Sequence, residues 1–409
     1  MTTLDLDFVR QQFPAFSEPN LQGWAFFENA GGSYACGQVI DKLHRYYRQT
    51  KLQPYGVYPA SARAGQEMDE SYRRLAGYLN VEEDEVHFGP STSQNTYVLA
   101  PAFRGGWDEG DEIIVTNQDH EANSGAWRRL EKTGIVVREW RIDPDSGELD
   151  PAQLDNLLND KTRLVVFPHC SNVVGHINPV AEIAAKAHAA GALVAVDGVA
   201  AAPHGLPDIQ AIGADVYLFS LYKTFGPHQG LAVVRRHVME QLTNQSHYFN
   251  AAYPRKKITP AGPDHAQIAC ASGIADYFDA VYAHHFADEV DAAERGRRLH
   301  KLFREAEQAR LAPLLDFLKA RSDVSLLGPA DPIVRAPTVS IQTHKRPSSF
   351  IARELAEHNI MANSGDFYAV RPLEGMNIPL NPGVLRMSFV HYTTDAEVTQ
   401  LMEALDAVL

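Results

Sequence analysis

A lysine and an aspartate stand in this chain where neither has an obvious structural task. The stretch ALVAVDGVAAAPHGLPDIQAIGADVYLFSLYKTFGPHQGLAVV, residues 192–234, reads as two buried strands. The first, Leu193–Val196, ends in Asp197. The second, Val216–Phe219, runs through Ser220 and Tyr222 into Lys223 and the turn Phe225-Gly226-Pro227. Continuous apolar runs bounded by charged or turn residues fit strands covered on both faces. Lysine is almost never buried unpaired, because its charge must be solvated or neutralised. Its amine can capture a carbonyl as a Schiff base, and a carboxylate can keep a ring nitrogen protonated; pyridoxal phosphate needs both. On these two residues alone, a helix-capping aspartate and a surface-loop lysine remain an equal reading.

The wider stretch resembles the lysine region of class V aminotransferases, and within them the cysteine desulfurase branch. The matching features are Val196-Asp197-Gly198, the D-x-x-x-F-S pattern of Asp215–Ser220, and Lys223-Thr224-Phe225-Gly226-Pro227. The resemblance extends over nearly all 409 residues. It implies a fold type I pyridoxal phosphate enzyme of α/β class, with a mostly parallel sheet flanked by helices and a smaller C-terminal α/β domain. The implied division is an N-terminal helical segment (1–22) packing with the small domain, a cofactor-binding domain (23–275), and a linking helix with the small domain (276–409).

Composition agrees with an ordinary globular chain: 45% apolar and 22% charged over 409 residues, room for two domains. A net charge of −14 argues against nucleic acid or an anionic membrane as partner. Cys36, Cys170 and Cys270 show no CxxC spacing, so neither a disulfide framework nor a zinc motif is expected. The start MTTLDLDFVRQQF lacks the features of a signal peptide, and no apolar run approaches membrane-spanning length. A cytoplasmic enzyme without a metal is the expectation.

Apolar periodicity predicts helices over 4–13, 36–49 and 63–79, a short strand over 23–27, and strands at Val86–Phe88, Glu112–Val115 and Leu164–Pro168. Gly89-Pro90-Ser91-Thr92-Ser93 opens a helix whose N–H groups suit an anion, with a plain N-cap as the alternative. Residues 324–409 read as strand, strand, helix, strand, helix.

The resemblance then assigns roles. Glu28-Asn29-Ala30-Gly31-Gly32 is similar to the turn that opens such catalytic domains, with Asn29 near the substrate. In Asp119-His120-Glu121-Ala122-Asn123 the family's histidine, His120, stacks on the pyridine face and handles protons. Ser171-Asn172-x-x-Gly175 places Asn172 on the phenolic oxygen of the cofactor. Thr92, Ser93, Ser220 and Tyr222 are the phosphate contacts, Tyr222 replacing a family histidine. A family glutamine is Ala200 here, and His204 can make up the lost bond if its loop folds back. The loop 259–266, TPAGPDHA, resembles one that reaches a partner subunit in family homodimers, but Pro263 replaces its threonine; His265 is a possible substitute.

Arg386, in the strand Leu385–Phe389, matches the arginine that binds the substrate carboxylate through two parallel donors. Desulfurases carry their nucleophilic cysteine just before this strand, where this chain has Gly365-Asp366-Phe367-Tyr368; no cysteine follows Cys270. Persulfide chemistry needs a thiolate, so a conventional desulfurase is not expected. Tyr368 and Arg371 are expected to shape the substrate pocket instead. The reaction expected is transamination of a small amino acid or related amine, with Lys223 as Schiff-base lysine and proton shuttle and Asp197 holding the ring nitrogen. A cysteine-independent β-eliminating lyase, an epimerase and a non-catalytic cofactor-binding protein are the alternatives.

Overall fold

Strands buried on both faces form where helices cover both sides of a sheet, and the apolar runs of this chain fold that way. In the computed structural model, which describes residues 2–409, Leu193–Asp197 and Val216–Ser220 pair in parallel with Asp197 opposite Leu218. They lie near the middle of a seven-stranded sheet. Its order is Val86–Gly89, Gly230–Val234, Val216–Ser220, Leu193–Asp197, Thr162–Pro168, Glu112–Thr116 and Val136–Trp140. Only Gly230–Val234 runs against its neighbours.

Successive side chains of a strand point to opposite faces. Val165, Phe167, Val194, Val196, Tyr217 and Phe219 enter one core, beneath the helices Gly37–Gln49, Pro59–Leu79, Val180–Ala189 and Ser272–His285. Leu164, Val166, Ala195, Val216 and Leu218 enter the other, beneath Thr92–Arg104 and Glu121–Arg128.

A helix of 28 residues, Ala292–Lys319, joins this body to a second sheet; Asp291 caps its start by accepting from Glu294 N–H. Leu299, Leu302 and Phe303 belong to the first core, while Leu311, Leu314, Leu315 and Leu318 belong to the second. The second sheet has four antiparallel strands, in the order Asn363–Gly365, Val384–Ser388, Thr338–Thr343 and Val324–Leu326. Ser348–Glu357 and Asp395–Val408 cover it, and Ala25–Phe26 pairs in parallel with Ile360–Met361 beside it. The N-terminal segment docks on the last helix through Arg10 and Glu397, 3.0 Å apart.

Three expectations need correction. The first helix spans only Leu6–Gln11, because the Asp5 side chain caps Phe8 N–H. The helix expected over 63–79 begins at Pro59, whose fixed φ and missing N–H suit a first turn. The C-terminal part contains Ile360–Met361, Asn363–Gly365 and Val370–Gly375 in addition to the five expected elements. Strands of two or three residues are too short to show alternation.

Candidate active site

The carboxyl ends of the parallel strands open on a cavity of about 270 Å³. Asp197 and Ser220 close adjacent strands, and Lys223 ends the tight turn Leu221–Lys223 that follows. Asn172 lies just beyond Thr162–Pro168, and His120 just beyond Glu112–Thr116. Thr92 and Ser93 open the helix after Val86–Gly89. All of these, with Asn29 and Tyr222, line the one cavity. Arg386 stands just behind the wall, its Nη1 donating to the carbonyl of the lining residue Asn172, while Tyr368 and Arg371 lie outside the lining.

Lys223 Nζ stands 5.7 Å from the centre of the Tyr222 ring and has no ion-pair partner among the described residues. Burial, reinforced by the charge of Arg386, pushes its amine down to about 8. Asp197 is buried, which lifts its carboxyl to about 6 against the pull of the Val199 N–H and of Lys223. Val199 N–H donates to Oδ1 at 2.8 Å, and no protein donor among the described residues reaches the second oxygen. A buried carboxylate with a free oxygen in a cavity is suited to a cationic ring nitrogen.

His120 caps the helix Glu121–Arg128: its Nδ1 accepts from Ala122 N–H at 3.0 Å. The ring proton therefore sits on Nε2. Burial, then Lys223 and Arg386, push its pKa down to about 3, so the ring is neutral. This suits stacking and makes His120 a poor acid. Asn172 departs from expectation in detail. Its Nδ2 donates to the Phe367 carbonyl at 3.0 Å, while Oδ1 is buried without a partner. A half-turn of the amide exchanges the two.

At the other end, Thr92 Oγ1 and Ser220 Oγ lie 2.7 Å apart beside the start of a 13-residue helix. The cap is Ser91, accepting from Gln94 N–H, so neither Thr92 nor Ser93 is used as the cap; the Thr92 hydroxyl is shared with Ser220 and both residues line the cavity. Burial, then the charge of Asp197, raise the Tyr222 phenol, which stays a donor. Its ring stacks on His228, 4.7 Å centre to centre and 10° from parallel. This hydroxyl-lined helix start fits a phosphate, as the Lys223–Asp197 pair fits the ring.

Toward the second sheet, Asn29 is buried and accepts from the Tyr392 hydroxyl. Arg386 is buried and paired with Glu28 at 2.8 Å. Tyr368 is 71% exposed, its ring 5.4 Å from that of His120. Arg371 Nε lies 3.4 Å from Glu121 Oε2. Cys170 lines the cavity, but burial pushes its thiol up to about 12, as it does for the buried Cys36 and Cys270. No described thiol is poised as a nucleophile.

Sequence reasoning missed His228 and Glu28. His228 sits in a short turn with no periodicity to mark it, and Glu28 acquires a role only by meeting a residue far along the chain. The His204 loop does fold back onto the cavity. Its Nδ1 lies 2.9 Å from Glu307 Oε1. Burial raises the Glu307 carboxyl, but His204 and Arg304 outweigh it and leave it lowered, so an ionised acceptor holds the proton on Nδ1.

The model of the "Aminotransferase class-V" family matches residues 25–401. The aminotransferase-like protein FGM3 of Gibberella zeae is 33% identical over 100% of this chain and 99% of its own. The cysteine desulfurase-like protein ustD of Aspergillus flavus is 30% identical over 99% of this chain and 91% of its own. Among solved structures, the cysteine desulfurase of Thermococcus onnurineus NA1 superposes with a TM-score of 0.85 at 22% identity, covering 100% of this chain and 99% of that one. With a sheet, a lysine and a carboxylate arranged for the same cofactor, the chain belongs to the class V aminotransferase family, as a pyridoxal phosphate-dependent enzyme of the cysteine desulfurase-like, fold type I architecture.

Proposed function

We propose that the protein transaminates a small amino acid or related amine, with Lys223 as the residue that holds the cofactor covalently and then moves protons. The observation carrying this is a buried lysine without a counter-ion, in a cavity whose only buried carboxylate with a free oxygen, among the described residues, is Asp197. Pyridoxal phosphate, when bound, withdraws electrons from the substrate Cα. Asp197 would hold the ring nitrogen protonated, Asn172 would serve the phenolic oxygen, and neutral His120 would cover the ring face. Thr92, Ser93, Ser220 and Tyr222 hold the phosphate. Arg386 takes the substrate carboxylate, with Asn29, Tyr368 and Arg371 around the side chain. Lys223 would take the proton from the substrate Cα. Orientation and electrostatics are the protein's share.

A second reading, β-elimination, is favoured by the relation to a cysteine desulfurase-like protein; it would use the same lysine and no thiolate. The test is a single-turnover absorbance scan against a panel of amino acids. Transamination leaves the cofactor band displaced until a keto acid restores it. Elimination restores the band at once and releases ammonia with a keto acid. A band unchanged in Lys223→Ala contradicts both. The same reading includes a cytoplasmic homodimer and the division 23–275 and 276–409, which gel filtration and limited proteolysis test.

A further inference from the structure

Arg386 is not a free receptor for a carboxylate. It lies in the strand Val384–Ser388, between Asn363–Gly365 and Thr338–Thr343, and is buried. Its guanidinium is partly held by this chain. Nη2 donates to Glu28 Oε1 at 2.8 Å, and Nη1 to the Asn172 carbonyl at 3.2 Å. The Phe367 ring covers one face, 3.8 Å from the guanidinium carbon to the ring centre. Nε is buried and has no acceptor, and Glu28 Oε2 is buried and has no donor.

A guanidinium grips a carboxylate through two adjacent N–H groups. With Nη1 held by main chain, the remaining pair is Nε with Nη2. Glu28 fills half of that fork, through one oxygen. The Glu28 backbone is fixed by its bridge to Ser388, so only the side chain can yield. Its position depends on Gly31, where an added Cβ would stand 2.8 Å from Oε1.

We propose that Glu28 is a specificity-determining residue: it stands in for the substrate carboxylate on Arg386 and must surrender Nη2 to it. This rests on the assignment of Arg386 to the substrate carboxylate. Ligands able to fill the whole fork displace Glu28; ligands offering one acceptor or none do not.

The test is calorimetric titration of the cofactor-loaded protein with propionate, a carboxylate with no amine to react, and with propionamide as neutral control. Glu28→Gln keeps an acceptor but removes the charge, and Gly31→Ala keeps the charge but moves it. Both should tighten propionate by about tenfold, the gain expected if Glu28 leaves the fork open in only about a tenth of the molecules. Propionamide should stay weak throughout. In turnover, Glu28→Gln should lower KM for the amino acid. Arg386→Gln should abolish propionate binding. If it does so while Glu28→Gln leaves propionate unchanged or weaker, Glu28 only props the arginine and this proposal fails alone. If Arg386→Gln binds propionate as well as the original protein, or if neither the original protein nor Glu28→Gln binds it at all, the carboxylate assignment itself is overturned. Melting temperature and the visible cofactor band verify that each variant is folded and loaded.

Discussion

Lys223 derives its chemistry from what surrounds it. An amine is nucleophilic only when neutral, and a solvated lysine is almost wholly charged at neutral pH. Burial disfavours the charged form, and with Arg386 adding positive charge the pKa falls to about 8. Cofactor capture by cofactor-free protein should therefore speed up with pH to about 8 and then level off. Stopped-flow absorbance after adding pyridoxal phosphate measures it; a rate still climbing between pH 9 and 10 would show an unperturbed lysine. Histidine shows the same dependence on neighbours. His120 accepts a main-chain N–H at Nδ1 and carries its proton on Nε2, whereas His204 faces the ionised Glu307 and carries its proton on Nδ1. Both rings in the one cavity thus leave the same nitrogen, Nε2, free, and that nitrogen carries the proton in His120 but not in a neutral His204.

Among the elements, the helix start at Thr92 depends most on its packing partner. Ser91 caps it, and Thr92 is tied to Ser220 at the end of the neighbouring strand. The approach is close enough that a Cβ on Gly230 would overlap the backbone of Ser91 and Thr92. Glycine is required here for space rather than for an unusual φ. Gly230→Ala should push the helix start away and weaken cofactor binding by about tenfold or more, since the helix N-terminus and its hydroxyls act on the anion together. Equilibrium dialysis against pyridoxal phosphate measures this; unaltered affinity would remove the helix start from the phosphate site. The segment Asp366–Ala369 works differently. Phe367 and Tyr368 both adopt positive φ, rare for residues with a Cβ, and this turns Phe367 onto Arg386 and Tyr368 toward His120.

The whole molecule is held together by polar groups as well as by its cores. Arg335 is fully buried and donates to the carbonyls of Leu327, Pro329 and Thr338, fixing the connection between Val324–Leu326 and Thr338–Thr343. Buried histidines set the acid limit. Burial lowers His87 and His169 to about 4, and His120 and His391 to about 3. The unfolded chain protonates these groups near pH 6.5 and the folded chain does not, so below that pH the unfolded state binds more protons. Their contribution is complete above pH 6.5 and is lost as pH falls toward 4 and 3. Asp119 and Asp197, raised to about 7 and about 6 by burial, act in the opposite sense but are fewer. Melting temperature should therefore drop between pH 6.5 and 4.5. His87, whose two ring nitrogens are both buried without partners, makes a direct test: His87→Phe should flatten the drop and raise stability at pH 5 by about 1–3 kcal/mol, the usual cost of an unsatisfied buried polar group. A variant that melts in parallel with the original protein at every pH would remove His87 from this account.

Much of this protein is determined locally. Apolar runs at Leu193–Val196 and Val216–Phe219 fit strands buried on both faces, and Asp197 closes the first while Lys223 follows the second by one short turn wherever the strands lie. The motifs around Thr92, His120, Asn172 and Lys223 pointed to the cofactor through their resemblance to a known family, because each is a short stretch that can be matched without knowing the fold. The short strands Ile360–Met361 and Asn363–Gly365 were not legible, since too few residues lie in them to show a period. The state of the functional side chains was not legible either. That Glu28 meets Arg386, Glu307 meets His204, and Phe367 lies over a guanidinium follows from contacts between residues far apart in the chain. Composition and spacing specify what a side chain can do; burial and partners, which exist only after the sheets are packed, decide which proton it carries and which donor it has left.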